Sequence, residues 1–269
     1  MTVTTSSPAT AADAFALQVR GLEKVFGSKD AVTHALNGIT FDIRKGEFVG
    51  IMGPSGSGKS TLLNCISTID KPTAGDALVA GKDITRLRGG ALARFRREEL
   101  GFVFQDSNLL DTLTARENIA LALTLQGHKA SEIDKAVTDM AARLGVSEVL
   151  NKFPNQMSGG QRQRVAAARA FVGKPSLVLA DEPTGALDSH SSTTLLETLS
   201  SMNAMHGATI MMVTHDPFAA SWCQRILFMK DGKLFSQIER GDADRNQFFD
   251  RIMSVMSYLA DQAGDHHVA

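Results

Sequence analysis

One glycine-rich segment constrains the fold of this chain more than any other: Gly53-Pro54-Ser55-Gly56-Ser57-Gly58-Lys59-Ser60. The apolar run Glu47–Met52 before it predicts a strand buried on both faces, and Lys59–Ser67 after it predicts a helix. The spacing G-x-x-x-x-G-K-S/T between a strand and a helix is typical of loops that bind phosphate groups. The chain therefore has to place a buried strand, a tight turn and a helix N-terminus next to one another.

The chemistry of this segment indicates an anion site. Glycines let the backbone amides turn inward around a phosphate, and the helix N-terminus adds a partial positive charge. Lys59 is then expected to reach the β- and γ-phosphates of a nucleotide, and the Ser60 hydroxyl to ligate Mg²⁺. A glycine-rich turn that binds nothing is the alternative, and the strand and helix on either side argue against it.

Short apolar runs alternate with helical stretches along the chain, which predicts an α/β fold. Asp231-Gly232 predicts a hairpin turn between the last two strands. From Leu113 to about Leu150 the apolar spacing is helical and predicts a helical insertion, and residues 248–259 predict a further amphipathic helix. The predicted strands are Phe15–Leu22, Ile39–Ile43, Glu47–Met52, Leu177–Ala180, Thr209–Val213, Arg225–Met229 and Lys233–Ile238.

Two acids follow the predicted strand Leu177–Ala180. Ligands gather at the carboxyl ends of parallel strands, so Asp181 and Glu182 are expected to face the phosphate loop. Asp181 would hold the Mg²⁺ shell, and Glu182 would polarise the attacking water as a general base. A strand that ends in acids is common at protein surfaces. Together with the phosphate loop, however, the pair indicates a nucleoside triphosphatase.

The segment Met157-Ser158-Gly159-Gly160-Gln161 precedes a stretch with high helix propensity that runs to Ala170. It resembles the signature motif L-S-G-G-Q of ATP-binding cassette (ABC) ATPases, with Met in place of Leu. Ser158 and two glycines before a helix make a second anion site. A polar turn that only caps a helix is the alternative, but Asp181 follows at the distance that the family arrangement expects.

Other motifs of the family are present in order, and the resemblance covers about Leu17 to Glu239. Phe26 matches the aromatic residue that stacks on adenine, since stacking needs only the ring. Gln105 matches the glutamine that contacts Mg²⁺ and water. Asp188 matches the aspartate that communicates between the two sites, and His215 matches the switch histidine at the γ-phosphate.

The resemblance also implies a fold and an assembly. The fold would be that of a P-loop NTPase, with a RecA-like parallel core, an N-terminal antiparallel β-subdomain and an inserted α-helical subdomain over about 106–170. Residues 1–14, rich in Ser, Thr and Ala, are predicted to be a disordered tail, 15–240 the ATP-binding domain, and 241–269 an amphipathic helix and tail. In the family, ATP lies between two subunits, with the signature segment of one facing the γ-phosphate held by the other.

The predicted site therefore has three overlapping sets of residues. The catalytic set is Glu182, His215, Lys59 and Gln105, and the Mg²⁺ set is Ser60, Gln105 and Asp181. The ATP-binding set is Phe26, Gly53, Pro54, Ser55, Gly56, Ser57, Gly58, Lys59, Ser60, Thr61, Gln105, Ser158, Gly159, Gly160, Gln161, Asp188 and His215.

Composition limits the partners. The formal net charge of −1 gives no basic footprint for nucleic acid, and no run approaches the roughly 20 apolar residues of a membrane span. Two cysteines, Cys65 and Cys223, predict reduced thiols in a cytosolic protein. Because the chain has no predicted span, the resemblance to ABC ATPases implies that transport requires a separate FtsX-like permease and a second copy of the chain, at the cytoplasmic face of the cell membrane.

Several segments resemble the subgroup that serves lipoprotein release, macrolide efflux and antimicrobial-peptide resistance, and residues 246–259 look most like the bacitracin-resistance type. ATPases of lipoprotein-release, macrolide-efflux or cell-division systems remain alternatives, and so does a soluble ABC ATPase that acts on nucleic acid. The C-terminal helix could pack on its own core or cap the homodimer. A basic cluster could bind phosphate backbone or form a solvated face: Arg86, Arg88, Arg94, Arg96 and Arg97.

Overall fold

The computed structural model describes residues 14–28 and 31–264, which form two β-sheets and surrounding helices. The strands are β1 (Phe15–Ser28), β2 (Ala31–Arg44), β3 (Phe48–Met52), β4 (Ala74–Val79), β5 (Lys82–Asp83), β6 (Leu100–Val103), β7 (Leu177–Asp181), β8 (Ile210–Val213), β9 (Arg225–Lys230) and β10 (Lys233–Glu239). The helices are α1 (Lys59–Ile66), α2 (Gly89–Glu99), α3 (Ala115–Gln126), α4 (Ala130–Arg143), α5 (Gly159–Val172), α6 (Ser189–His206), α7 (Pro217–Ala220) and α8 (Arg245–Gly264).

The larger sheet has the strand order β10-β9-β3-β8-β7-β6. All its neighbouring strands are parallel except β9 and β10, which form the hairpin predicted at Asp231-Gly232. Both turn residues have the positive φ that such a two-residue turn requires, 49° and 71°. The order places β3, which leads into the phosphate loop, directly beside β8 and one strand away from β7.

The parallel strands separate two apolar clusters. In β3, Phe48 and Met52 point into one cluster, whereas Val49 and Ile51 point into the other. All five residues of β3 are buried, because helices cover one face and the smaller sheet, with α1, covers the other. Continuous burial explains why this strand is apolar throughout, with no alternation of polar and apolar residues.

The smaller sheet is antiparallel, with the order β2-β1-β4-β5. The predicted strands Phe15–Leu22 and Ile39–Ile43 are confirmed as parts of longer strands that pair through Val19 and Phe41. Leu17, Val19 and other inward residues of this sheet join the cluster that also holds Ile51 of β3. The N-terminal part of the chain therefore covers the core beside the phosphate loop.

The predicted helical stretch Leu113–Leu150 contains two helices, α3 and α4. The chain turns between them at Gly127, whose φ of 84° is left-handed. Thr114 caps α3 in a reciprocal pair of hydrogen bonds with Glu117. The buried faces of α3, α4 and α5 join the larger cluster through residues such as Ile119 and Val137, so this segment packs as one layer on the sheet.

The C-terminal helix α8 packs on the core of its own chain. Phe248 and Ile252 are fully buried and Leu259 is 3% exposed, all within the larger cluster. No helix of residues 14–28 and 31–264 is long and apolar enough to cross a membrane. The tail predicted over 1–14 lies outside the described residues apart from Ala14, and so do residues 265–269.

Candidate active site

The phosphate loop opens into a cavity of about 890 Å³ at the carboxyl edge of the parallel sheet. Gly58 is the N-cap of α1 with φ 100°, and no side chain caps this helix. A Cβ on Gly58 would lie 2.4 Å from the carbonyl oxygen of Ala35, and one on Gly53 would lie 2.2 Å from that of Met229. Only glycine fits at these two positions, and the helix N-terminus keeps its amides open to a ligand.

Lys59 lies across this loop. Its ammonium donates hydrogen bonds to the carbonyl oxygens of Gly53 and Pro54, at 2.8 and 2.9 Å. Burial lowers the pKa of Lys59, and the nearby carboxylates of Glu182 and Asp181 oppose that shift. The side chain is 9% exposed. A largely desolvated cation is therefore held at the base of the cavity, where an anion gains more from it than in water.

Glu182 and His215 meet beside the loop because β7 and β8 are neighbours. His215 Nδ1 lies 2.8 Å from Glu182 Oε1, and the Thr214 hydroxyl donates to Glu182 Oε2 at 3.1 Å. Glu182 has a φ of 44°, which is uncommon for a residue with a side chain. Its backbone N–H donates to the carbonyl oxygen of Val213. A carboxylate and an imidazole are thus fixed against each other in the cavity wall.

Two oxygen donors suited to Mg²⁺, the Ser60 hydroxyl and the Asp181 carboxylate, lie next in sequence to Lys59 and Glu182. Burial raises the pKa of Asp181, Glu182 adds to that rise, and Lys59 opposes it. In the part of the chain that the structure describes, no cluster of three His, Cys, Asp or Glu side chains forms a complete metal site. Mg²⁺ retains waters and binds through one or two protein oxygens plus substrate phosphates, so the Ser60 hydroxyl and the Asp181 carboxylate fit that pattern.

Gln105 follows β6 and lies against the loop after Glu182. A Cβ on Gly185 would be 3.1 Å from the Gln105 side-chain amide. The neighbouring Gln163 of α5 was not predicted from the sequence; it is 1% exposed and donates to the carbonyl oxygens of Phe104 and Pro183. This glutamine ties the signature helix to both loops. The sequence did not indicate that Gln163 is buried, because polar residues flank it on both sides.

The signature segment lies outside the cavity of its own chain. Ser158 Oγ accepts from the Gln161 N–H at 3.2 Å, and Gln161 Oε1 accepts from the Ser158 N–H at 2.9 Å. Gly160 packs on Ser191, which Asp188 binds through both its N–H and its hydroxyl. None of Ser158–Gln161 lines the described cavity. One chain therefore carries two helix N-termini that do not meet.

The structure also adds wall residues that the sequence did not predict. Thr33, His34 and Ala35 of β2, the Asp231–Gly232 turn and Met256 of α8 line the cavity. The pairing of β9 with β3 places that turn here, and sequence patterns do not reveal such a pairing. Phe26, predicted to stack on adenine, is 42% exposed, with the Lys24 ammonium 4.7 Å from its ring. It is not among the wall residues.

The parallel sheet, the phosphate loop and the two acids define a P-loop ATPase. The signature segment at the start of α5 indicates, within that class, an ABC ATPase. Residues 36–185 match the sequence model described as ABC transporter. The chain belongs to this family. It is the ATP-binding subunit of an ABC transporter and hydrolyses ATP.

Relatives of the chain match along nearly its whole length. It is 52% identical over 250 residues to the ABC transporter ATP-binding protein YxdL of Bacillus subtilis, covering 93% of this chain and 96% of that protein. It is 48% identical over 250 residues to the bacitracin export ATP-binding protein BceA of Halalkalibacterium halodurans, covering 93% and 99%.

A solved structure supports the fold and the dimer. The post-hydrolysis dimer of the cassette MJ0796, bound to ADP and Pi, is similar with a TM-score of 0.75 and 38% identity, covering 83% of this chain and 98% of that one. ABC ATPases act with a membrane permease and dimerise, as that structure shows for the dimer. The predicted cassette fold and ATPase class are thereby confirmed.

Proposed function

We propose that this chain powers resistance to, or export of, a bacitracin-like antimicrobial peptide. The observation that carries this proposal is the 48% identity to BceA over 99% of that protein's length. The permease partner would be of the FtsX-like type and would hold the chain at the cytoplasmic face of the cell membrane.

The cavity geometry supports the proposed roles in ATP hydrolysis. Lys59, the loop amides and the α1 N-terminus would bind the phosphates, and Ser60, Asp181 and Gln105 would hold Mg²⁺. Bound Mg²⁺ would neutralise charge on the phosphate oxygens. Glu182 accepts a proton from the attacking water, since a carboxylate fixed at 2.8 Å from His215 is oriented for that task. His215 lines the same cavity and would contact the γ-phosphate.

A second copy supplies the signature segment. Ser158, Gly159, Gly160 and Gln161 lie away from the cavity of their own chain, so the α5 N-terminus can face a phosphate only in a partner. ATP then joins two chains, and loss of the γ-phosphate removes the charge that holds α5 in place. Asp188, which binds Ser191 beside Gly160, links the two sites.

An apolar groove supports the partnership with a permease. The groove of about 460 Å³ lies between α2, β6, α3 and α5. Phe102 and Phe104 stack there at 5.5 Å between ring centroids, and Leu125 is 58% exposed. Gln105 follows this aromatic pair directly, so a permease segment seated in the groove would contact the strand that leads to the site. We place the permease contact here.

Co-purification tests the partner. The His-tagged chain, expressed with its candidate permease and extracted in mild detergent, should retain an integral membrane protein with a large extracellular domain. Leu125→Glu should lose that protein but keep ATP binding. Met205→Glu, at a 75% exposed residue of α6, is the matched control. A permease without the extracellular domain would point to another branch of the family.

Growth and nucleotide assays test the activity. Cells that depend on this pair should lose bacitracin resistance when Lys59→Ala replaces the wild-type chain, since the cavity then loses its buried cation. ATPase activity of the purified complex should fall to background when EDTA removes Mg²⁺ and return when Mg²⁺ is added. Unchanged bacitracin resistance, with ATPase activity lost, would rule out the proposed substrate and leave the ATPase assignment intact.

A further inference from the structure

The C-terminal helix α8 reaches the nucleotide cavity. The side chain of Met256 lies in the cavity wall together with His215 and the Asp231–Gly232 turn. This side chain is partly buried. It comes from a helix outside the segment that matches the family model, which ends at residue 185. A wall residue from this helix has no counterpart in the motifs that predicted the site.

Packing fixes the position of Met256 relative to His215. Phe248 and Ile252 are fully buried on the same face of α8. At the start of α8, the Arg245 guanidinium lies 4.4 Å from the ring centroid of Trp222 and 5.3 Å from that of Phe218. Phe218 belongs to α7, which begins two residues after His215. The helix is therefore anchored to the segment that carries the switch histidine.

We propose that Met256 is a nucleotide-facing residue and that α8 supplies part of the ATP compartment. The inference rests on the proposed assignment of this cavity as the ATP site. The cavity is built for polyanions, with loop amides, a helix N-terminus and the Lys59 ammonium. Met256 contributes a neutral, polarizable side chain to its wall. Because it borders the same space, a charge at this position acts directly on the phosphates of a bound nucleotide.

Charges of opposite sign at position 256 test the inference. Met256→Glu should weaken ATP binding by about 3- to 10-fold, and Met256→Lys should tighten it by about 2- to 3-fold, because a partly desolvated charge interacts strongly with phosphate. Both effects should be larger for ATP than for ADP. They should shrink between about 50 mM and about 500 mM salt, since salt screens charges. Displacement of a fluorescent nucleotide from the purified chain measures both affinities.

Met253 provides the matched control on the same helix. It is 40% exposed and does not line the described cavity. Met253→Glu and Met253→Lys should change ATP affinity by less than about twofold, because solvent screens exposed charges. Met256→Leu, which keeps size and neutrality, should bind ATP as the wild type does. Thermal unfolding of each variant checks that its fold is intact.

The test of the inference is whether the two charged variants of Met256 change ATP affinity in opposite directions. If Met256→Glu and Met256→Lys weaken binding equally, or leave it unchanged, the side chain does not face the nucleotide. A failed cavity assignment gives a different result, because Lys59→Ala would then bind ATP as tightly as the wild type. If Lys59→Ala loses ATP binding while both charged variants of Met256 bind alike, only the inference about α8 fails.

Discussion

The N-termini of α1 and α5 differ in how their backbone amides are satisfied. Gly58 is the N-cap of α1, and no side chain caps this helix. Ser158 is the N-cap of α5, and its side chain and that of Gln161 form a complete capping box. An uncapped helix start leaves its donors to a ligand, whereas a capping box occupies two of its own donors. The first end is built to hold an anion within one chain, and the second is stable without one.

The difference in capping suits the N-termini of α1 and α5 to different roles. The α1 end is surrounded by cavity walls, Lys59 and the Glu182–His215 pair, so it can hold a nucleotide before any partner arrives. The α5 end lies outside the cavity, and its capping box satisfies the N–H groups of Ser158 and Gln161, so this helix start is stable in a single chain without an anion. Under the proposed function, ATP bound at the α1 end would recruit the α5 end of another copy.

Among the variants that test the different roles of the α1 and α5 ends, Glu182→Gln should have the largest effect on activity. Loss of the general base should lower ATP hydrolysis by about 100-fold or more, because general-base catalysis contributes on the order of 10²–10⁴. The uncleaved ATP should then hold the α1 end of one copy on the α5 end of another. Size-exclusion chromatography with ATP measures the dimer, and Glu197→Gln, an exposed residue of α6, is the control. A monomer under these conditions would break the comparison.

Gly160→Ala should have the next largest effect, on stability. A Cβ on Gly160 would lie 2.7 Å from Ser191 Oγ, so overpacking should cost about 1–3 kcal/mol in the free energy of unfolding. At Gly159 the nearest atom to an added Cβ is 3.6 Å away, so Gly159→Ala should cost no such strain. Urea denaturation measures both variants. Equal stabilities would show that α5 does not rest on α6 through Gly160.

Ser158→Ala should cost about 1 kcal/mol of stability, the usual value of an N-cap. Thr114→Ala removes an equivalent capping box from α3 and should cost a similar amount. Only the Ser158 variant should also lose ATPase activity, because we propose that its hydroxyl faces the γ-phosphate held by a second copy. Parallel urea and ATPase measurements separate the two roles. Equal activity in both variants would mean that Ser158 is only a cap.

The smallest expected effect is in thiol labelling. Cys65 lies in α1, where burial raises its pKa to about 11, and burial also raises the pKa of Cys223. Both thiols should therefore react slowly at pH 8, because the thiolate is the reactive form. ATP bound at the N-terminus of α1 should stabilise this helix and slow the labelling of Cys65 further, with less change at Cys223. Mass spectrometry of each peptide measures the rates, and faster labelling of Cys65 with ATP would contradict this account.

The sequence predicted those parts of the molecule that local patterns encode. The phosphate loop, the strands beside it and the Asp231–Gly232 hairpin all depend on residues within a short stretch of chain. The strand β1 extends to Ser28, past the predicted end at Leu22, because its outer part pairs with β2 beyond the core. There the apolar alternation that marks a half-buried strand is weak.

Long-range packing decided what the sequence could not predict. The neighbourhood of Glu182 and His215 depends on β7 lying beside β8, which only the tertiary fold establishes. Met256 reaches the cavity because α8 folds back over the sheet, far along the chain from the phosphate loop. Gln163 looks like an exposed residue in sequence, and its burial follows from the two carbonyl oxygens that it meets. The roles of the signature residues stay predictions.

The close contact between Gly101 of β6 and Ala170 of α5 is a point about which α5 can tilt. A Cβ on Gly101 would lie 2.4 Å from the Ala170 carbonyl oxygen, so the C-terminal end of the helix rests directly on the backbone of β6. At 1.5 Å per residue, Ser158 lies about 18 Å from that fulcrum. A tilt of about 5° there moves the tip by about 1.5 Å, half the length of a hydrogen bond. Under the proposed function, a rotation of that size about Gly101 would be enough to make or break the contact between Ser158 and a phosphate held by a second copy.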